Sequence, residues 1–543
     1  MKKNYSSFGT QTGLSMGIFL LSMTMNFSAC QPDDLNANEE IAHETYTRVK
    51  EIRVNREYAE AFAEEFGTPD PNHNWSYKPL TVIHSGSEES TQSVTRAMTR
   101  AAMAEVPTIH RNTAEPLVMP YSKVKELIDA IPEKGYNYER MNTNIGYYAE
   151  QETTYDIYPV MWGEKFCDEN VVGLFTFELD ANGTPINKVE RGVIWTDNDN
   201  GHTNVYMELG GKRKEFPVGT HPIDKQNTND YGKTGHTYYK NNTEPDNIIF
   251  PHYEVTIPAN TYWGIYLETK KDQDKSTRVK WFSVANFNYA NTEPAGNINL
   301  GGNTYLCFED APVKGAMDGN RVNGYQGYDK DYNDVCLLIT PRPIESSFSV
   351  DEVRVMCEDL GGTFDWDFND IVYDIKITQR LYNDKNATAT ITLQAVGGTL
   401  PVNISYNGGK SYGEMHTLLG QQPDEDGLYE PVLQGQARIL DIIDLGAKDV
   451  DAAAKLKEIA RNIQIIVTDP RDDSYHEVNF PNENGDKNPQ CFMCQAGTHW
   501  SDELVNIKTT YPAFEQWVKN HEAATDWWNV DKYTNKQQEV VIR

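Results

Sequence analysis

Cys357-Glu358-Asp359-Leu360, then Asp365-Trp366-Asp367-Phe368-Asn369-Asp370-Ile371, is an acidic phrase that runs directly into an alternating segment. There Ile371, Tyr373, Ile375 and Ile377 alternate with Val372, Asp374, Lys376 and Thr378, the period-2 pattern of a strand. The same phrase stands earlier, as Phe308-Glu309-Asp310 followed by Asp329-Lys330-Asp331-Tyr332-Asn333-Asp334-Val335. Each copy places Glu-Asp upstream of Asp-x-Asp-aromatic-Asn-Asp and closes on a β-branched residue. Hard cations require such oxygen-rich groups, Ca²⁺ taking roughly 6–8 oxygen ligands from carboxylates and carbonyls. The phrase therefore points to a metal-stabilised β-protein.

In an extended Asp365–Asn369 segment successive side chains point to opposite sides. The polar oxygens of Asp365, Asp367 and Asn369 then share one side, while Trp366 and Phe368 face a core. Asn369-Asp370 suits a bend, which turns a further carboxylate towards the ion. Glu358 and Asp359 arrive from the adjoining strand, and Gly361-Gly362 permit a tight return. The first copy offers Glu309, Asp310, Asp329, Asp331, Asn333 and Asp334, with Asp318 and Asn320 within reach of its longer loop. Without a cation these carboxylates repel one another and their pKa values rise. Mg²⁺ prefers few protein ligands and several waters, so Ca²⁺ is the expected ion. The competing reading is a solvated acidic hairpin in which Asn and Asp cap backbone N–H groups.

Working outward, Ala387, Ala389, Ile391, Leu393 and Ala395 alternate with Thr388, Thr390, Thr392 and Gln394, a second clear strand. Val172–Leu179 is a compact apolar run, and Tyr253, Val255 and Ile257 alternate with polar neighbours. Helical spacing marks Tyr46–Phe66, Tyr121–Ile131 and Val450–Asn462, and a strand is expected at Ile463–Thr468. The stretches Thr228–Asn242 and Asn286–Asn303 read as polar loops. Ile339-Thr-Pro-Arg-Pro343 reads as a boundary, since prolines interrupt a strand ladder. Many short strands with frequent turns favour sandwiches. The expected architecture is mainly β, with two or more jelly-roll-like β-sandwich domains, short helices and a flexible N-terminal tether. Its divisions are a signal peptide over 1–29; a tether, short helix and linker over 30–115; a first β domain over 116–343; a second over 347–530; and a tail over 531–543.

The chain has 543 residues and a formal net charge of −31, which argues against a nucleic-acid partner. Its 31 Tyr, with 38 Gly and 26 Pro, suit a β-rich protein with long polar loops. Lys2 and Lys3 precede an apolar stretch from Met16 to Met25, too short to span a bilayer stably. It ends in Phe27-Ser28-Ala29-Cys30, which resembles a bacterial lipobox and implies cleavage before Cys30 and its lipidation. Gln31-Pro32-Asp33-Asp34 resembles the surface-export signal of Bacteroidetes lipoproteins. Cys167, Cys307, Cys336, Cys357, Cys491 and Cys494 then remain, in a compartment where disulfides form, with 15 possible pairings. Cys307, Cys336 and Cys357 flank the acidic phrases, where they could staple neighbouring strands. Cys491-Phe-Met-Cys494 is a single CxxC, short of the four ligands of structural zinc.

At the acidic phrase the chain resembles the LruC-type domain of bacterial lipoproteins, through Glu358–Val372. Thr392-Leu-Gln-Ala-Val-Gly-Gly-Thr-Leu-Pro401 and Pro489-Gln-Cys491…Trp500…Tyr511-Pro-Ala-Phe514…Trp517…Trp527 extend that resemblance. Trp263-Gly-Ile-Tyr266…Asp334 resembles a related bacterial surface β-domain, and Tyr58–Trp75 a short N-terminal segment of such lipoproteins. The resemblance implies a non-catalytic protein anchored to the outer membrane and exposed at the cell surface. The expected role is adhesion or binding of an extracellular glycan or protein. Tyr238-Tyr239, Tyr325 and Tyr328 are candidate sugar-stacking residues.

Two other readings stand beside it: a structural subunit or spacer of a surface assembly, and a polysaccharide hydrolase. Gly409-Lys-Ser411-Tyr-Gly413 matches GxSxG, but a nucleophile elbow needs strand, sharp turn and helix, and this match reads as a hairpin. Asp197-Asn-Asp199-Asn-Gly201 resembles the start of a calcium loop, but its Gly comes early and the closing Glu is missing. The carboxylates of the acidic phrases are packed more densely than the two-carboxyl arrangement of glycoside hydrolysis.

Overall fold

The segment Ile371–Arg380 is a strand, and it lies inside an eleven-stranded sheet. The computed structural model describes residues 57–86, 106–111, 116–132, 141–162, 170–196, 206–215, 245–271, 274–288, 291–309, 316–317, 320–321, 332–343, 347–359, 365–382, 384–482, 484–487 and 489–533. The protein is mainly β, built of several largely antiparallel sheets with a few short helices. Ser347–Cys357, Ile371–Arg380, Thr388–Ala395 and Arg438–Asp444 follow one another across the large sheet as antiparallel neighbours. Alternation is strict in Thr388–Ala395, where every second residue is buried. In Ile371–Arg380 the first five residues are all buried. The reason lies on the second face, where Arg354 pairs with Asp374 through two bonds of 2.8 and 2.9 Å and donates to the Thr498 carbonyl at 2.5 Å.

The large sheet continues past the expected boundary. Thr81–Ser85 pairs antiparallel with Ser347–Cys357 on one side and parallel with Ile145–Ala149 on the other. Beyond Ile145–Ala149 come Thr261–Lys271, Val171–Leu179 and Pro185–Thr196. Residues 81–85, read as lying within the tether, short helix and linker of 30–115, are thus a strand joining the two halves, with Ile83 and Ser85 buried. Pro341 sits within the strand Val335–Arg342, paired with Tyr155. The neighbour on the other side of that strand ends at Leu338, so a residue without an N–H is tolerated there. Likewise Asn286–Asn303, read as a loop, contains the strand Ala295–Leu300.

Two sandwich layers follow from the side-chain alternation. Tyr147, Leu174, Trp263 and Ile265 of the large sheet pack with Tyr155, Val255, Leu306, Phe308, Val335 and Leu337 of a seven-stranded sheet. Residues of the opposite parity, Tyr305, Cys307, Cys336 and Leu338, form a further cluster with Val124 and Leu127 of the helix Tyr121–Ala130. In the C-terminal half the large sheet packs against Val402, Ile404, Ile465 and Val467 of a four-stranded sheet and against Leu456 and Ile459 of the helix Ala452–Asn462.

The 57–66 helix completes this core with Tyr58, Phe62 and Phe66. Among the described residues five cysteines are free thiols. Cys307 lies opposite Cys336 and Cys357 opposite Cys491 across their ladders. Residues 1–56, Cys30 among them, and Cys167, Asp197–Gly201, Thr228–Asn242, Tyr325 and Tyr328 fall outside the described residues, as does the tail beyond 533.

Candidate metal centre

Strand register brings the two halves of the acidic phrase together. Cys357 pairs with Ile371, so Glu358 and Asp370 emerge at the same end of the ladder. Phe308 pairs with Val335 in the first copy, which places Glu309 and Asp334 equivalently. Between Asp365 and Asp370 the chain is not an extended strand, as the spacing alone suggested. Trp366 and Phe368 adopt φ of 62° and 53°, and Tyr332, at the position matching Phe368, adopts 56°.

Left-handed backbone at a bulky residue costs of order 1–3 kcal/mol and persists only where surroundings enforce it. Here the enforcement is visible on both sides. Trp366 is packed against Tyr58, Phe62 and Phe66, with ring centroids 5.0–5.7 Å apart. Phe368 packs against Phe492 and Phe514 at 5.0 and 5.9 Å. The aromatics thus face the core and the oxygens face away from it, as expected, but through alternating backbone handedness.

The carboxylates of Glu358, Asp365 and Asp367 each offer an oxygen, all lying within 4.8 Å of one another. Glu358 and Asp367 are 2 % and 1 % exposed. Asp365 shares a hydrogen bond with Glu358, a contact between two carboxyls that needs a proton or a cation. Asp367 accepts the Asn369 N–H at 3.1 Å and the Leu504 N–H at 2.9 Å. Asn369 donates its amide to the Ser501 carbonyl at 3.1 Å.

Asp370 accepts the Asp359 N–H at 2.7 Å, and these two side chains lie against Gly398. A Cβ on Gly398 would stand 2.6 Å from Asp359 Oδ2, and one on Gly397 only 1.7 Å from Asn369 Oδ1. The Val396-Gly-Gly-Thr turn is therefore a wall of the site that admits no side chain.

Burial and mutual repulsion disfavour ionisation throughout. Glu358 is held well above the usual carboxylate range by burial, then by Asp367 and Asp365. Burial likewise raises Asp370, with Asp359 and Glu358 adding to it. Asp367 is pushed up to about 8 by burial and by Asp365. Glu503 is pushed up to about 7 by burial, then by Asp365. Three buried oxygens, Glu358 Oε2, Asn369 Oδ1 and Glu503 Oε2, have no hydrogen-bond partner among the described residues. Hard oxygen donors without protein partners are the chemistry that a divalent cation such as Ca²⁺ satisfies.

Of the twelve residues expected to bind metal, the structure gathers Glu358, Asp365 and Asp367 most tightly, with Asp359, Asn369 and Asp370 beside them. In the first copy Glu309, Asn333 and Asp334 are described, with Glu309 1 % and Asn333 7 % exposed. Asn333 donates its amide to the Ile131 carbonyl at 3.3 Å, the counterpart of Asn369 and Ser501. Asp310, Asp329 and Asp331 lie outside the described residues, as does Asp318. Glu503 and the Gly397-Gly398 wall were not recognised as parts of the site. The paired glycines were a visible signal, whereas no local spacing links Glu503 to the phrase.

A second cluster, Asp156, His252 and Glu254, also brings ligand atoms within 4.8 Å. It already holds a cation, because the Arg342 guanidinium bonds both Asp156 and Glu254. The GxSxG match spans the turn and second strand of a hairpin, Val402–Tyr406 with Lys410–Glu414, rather than a strand–turn–helix elbow. Comparison of the chain with family models, curated proteins and solved structures finds no match.

Proposed function

We propose that this protein is a calcium-stabilised, non-catalytic β-scaffold, lipid-anchored through Cys30 and displayed at the outer-membrane surface for adhesion or binding of an extracellular glycan or protein. The observation that carries the calcium reading is the trio Glu358, Asp365 and Asp367, brought together with Glu358 and Asp367 buried, Asp365 half-buried and Glu358 Oε2 unpartnered. Glu358, Asp365, Asp367 and Asn369 would hold the ion, with Asp359 and Asp370 as flanking carboxylates. Bound there, Ca²⁺ supplies positive charge that cancels the repulsion among these groups.

The residues themselves act by position. Asp367 ties the loop to Leu504, Asn369 ties it to Ser501, and Trp366 and Phe368 root it among core aromatics. Stiffness, rather than reaction, is what such a buried site contributes. The LruC-type resemblance of Glu358–Val372 and the lipobox-like Phe27–Cys30 support an exported, anchored setting. A structural spacer within a surface assembly is favoured over a hydrolase by the same burial, since a reacting carboxylate must meet its substrate.

Calorimetric titration with calcium tests the ion, and a glycan array tests the ligand. Heat of binding that Asp365→Asn weakens supports the site, and a titration without heat refutes it. Glycan capture separates a binding protein from a spacer, and turnover of a polysaccharide would overturn the non-catalytic reading.

A further inference from the structure

Past the strand Cys491–Gln495 the chain folds back across the acidic phrase. The Ser501 carbonyl accepts from the Asn369 amide at 3.1 Å, and the Leu504 N–H donates to Asp367 Oδ2 at 2.9 Å. Ile507 N–H donates to the Trp366 carbonyl at 2.8 Å. Glu503 stands between the first two of these contacts. The residue is half-buried and its carboxyl bonds the Asn369 side chain, while its Oε2 is buried and has no hydrogen-bond partner among the described residues. Glu358 Oε2 is in the same condition on a residue only 2 % exposed.

We propose that Glu503 is a ligand of the cation held by Glu358, Asp365 and Asp367, so that the ion fastens the C-terminal segment onto the acidic loop. The inference rests on the calcium reading of that site. A buried acceptor without a partner costs about 1–3 kcal/mol, and more when charged. Two such oxygens from distant parts of the chain, one on Glu358 of the carboxylate trio and one on Glu503, are satisfied together by one divalent ion. Lys508 is paired with Glu65 at 2.6 Å and Arg354 with Asp374 at 2.8 Å, and the His476 ring is engaged by the Asp359 carbonyl.

Without the ion, a charged Glu503 repels Asp365 and Asp359 and weakens the docking of its segment on the loop. With the ion, the same residue is a clasp. The clasp holds the path into Ile507–Thr510 and Phe514–Lys519, whose Phe514 and Trp517 pack in the core beside Phe492.

The test uses the full chain and calcium alone, with the variants Glu503→Gln and, as a control on an exposed neighbour, Asp502→Asn. Binding is followed by calorimetry and local opening by hydrogen exchange in calcium and in chelator. In the wild-type protein calcium should slow exchange over 499–507 as well as over 365–371. Glu503→Gln should bind calcium roughly tenfold or more weakly, since affinity follows ligand charge. It should also lose the slowing over 499–507, while Asp502→Asn behaves as wild type.

Unchanged affinity and protection in Glu503→Gln would overturn the clasp and leave the calcium site standing. So would a wild-type response confined to 365–371, a comparison that needs no variant. Absence of any calcium heat in the wild type would remove both the site and the clasp.

Discussion

Replacing Asp367 with Asn should change stability in opposite directions with and without calcium. The substitution keeps the shape of the side chain and removes its charge. In chelator the wild-type carboxyl is pushed up to about 8 by burial and by Asp365. A folded pKa above the unfolded value means that stability falls as pH rises from about 4 towards 8. Each unit of that shift corresponds to about 1.4 kcal/mol, so the cost at neutral pH is several kcal/mol. The amide avoids this cost but offers one oxygen where Asp367 satisfies two N–H groups, a loss of about 1–3 kcal/mol. In chelator Asp367→Asn should therefore be neutral to stabilising, by up to about 2 kcal/mol.

In calcium the balance reverses. A site filled at about a hundred times its dissociation constant stabilises by about 2.7 kcal/mol, which the variant forfeits. The difference between the two conditions should be about 2.7 kcal/mol. Denaturant unfolding of both proteins in millimolar calcium and in chelator measures it directly. Equal losses in the two conditions would show that Asp367 is an ordinary capping residue and would refute the reasoning.

Three further outcomes are expected. Gly397→Ala drives a methyl group into Asn369, 1.7 Å from Oδ1 and 2.9 Å from the backbone oxygen, and should lower stability by about 3 kcal/mol. Gly435→Ala, whose new Cβ would meet nothing nearer than 3.9 Å, serves as its control in the same melting experiment. Trp366→Ala should cost about 3–5 kcal/mol in calcium and chelator alike, and should speed exchange in the 57–66 helix that it packs against. Burial pushes Asp351 up to about 6, partly offset by a hydrogen bond from Thr81. Its folded pKa lies above the unfolded one, so it subtracts stability as pH rises between about 4 and 6. The wild type should lose about 2 kcal/mol relative to Asp351→Asn between about pH 4.5 and 7.5, read from paired denaturation curves.

Much of the β-architecture was legible because alternation is a local property. Thr388–Ala395 and Tyr253–Ile257 each announce a strand through period-2 burial, as does the second half of Ile371–Arg380. The acidic phrase was legible for the same reason, since residues close in sequence share one loop. The backbone that delivers it was not, because left-handed Trp366 and Phe368 are held by aromatics from the 57–66 helix and from Phe492 and Phe514. The joining strand Thr81–Ser85 was hidden too. It is short, and its place is set by partners at Ile145–Ala149 and Ser347–Val350, far away along the chain.

Composition and spacing alone established a mainly β chain with two matching acidic phrases, the second of which folding gathers into a cluster of oxygens. Folding added Glu503, the Gly397-Gly398 wall and the union of both halves in one sheet. Each of these depends on contacts between segments remote in sequence, and strand order and loop docking are chosen by burial summed over the whole core. No local window carries that sum.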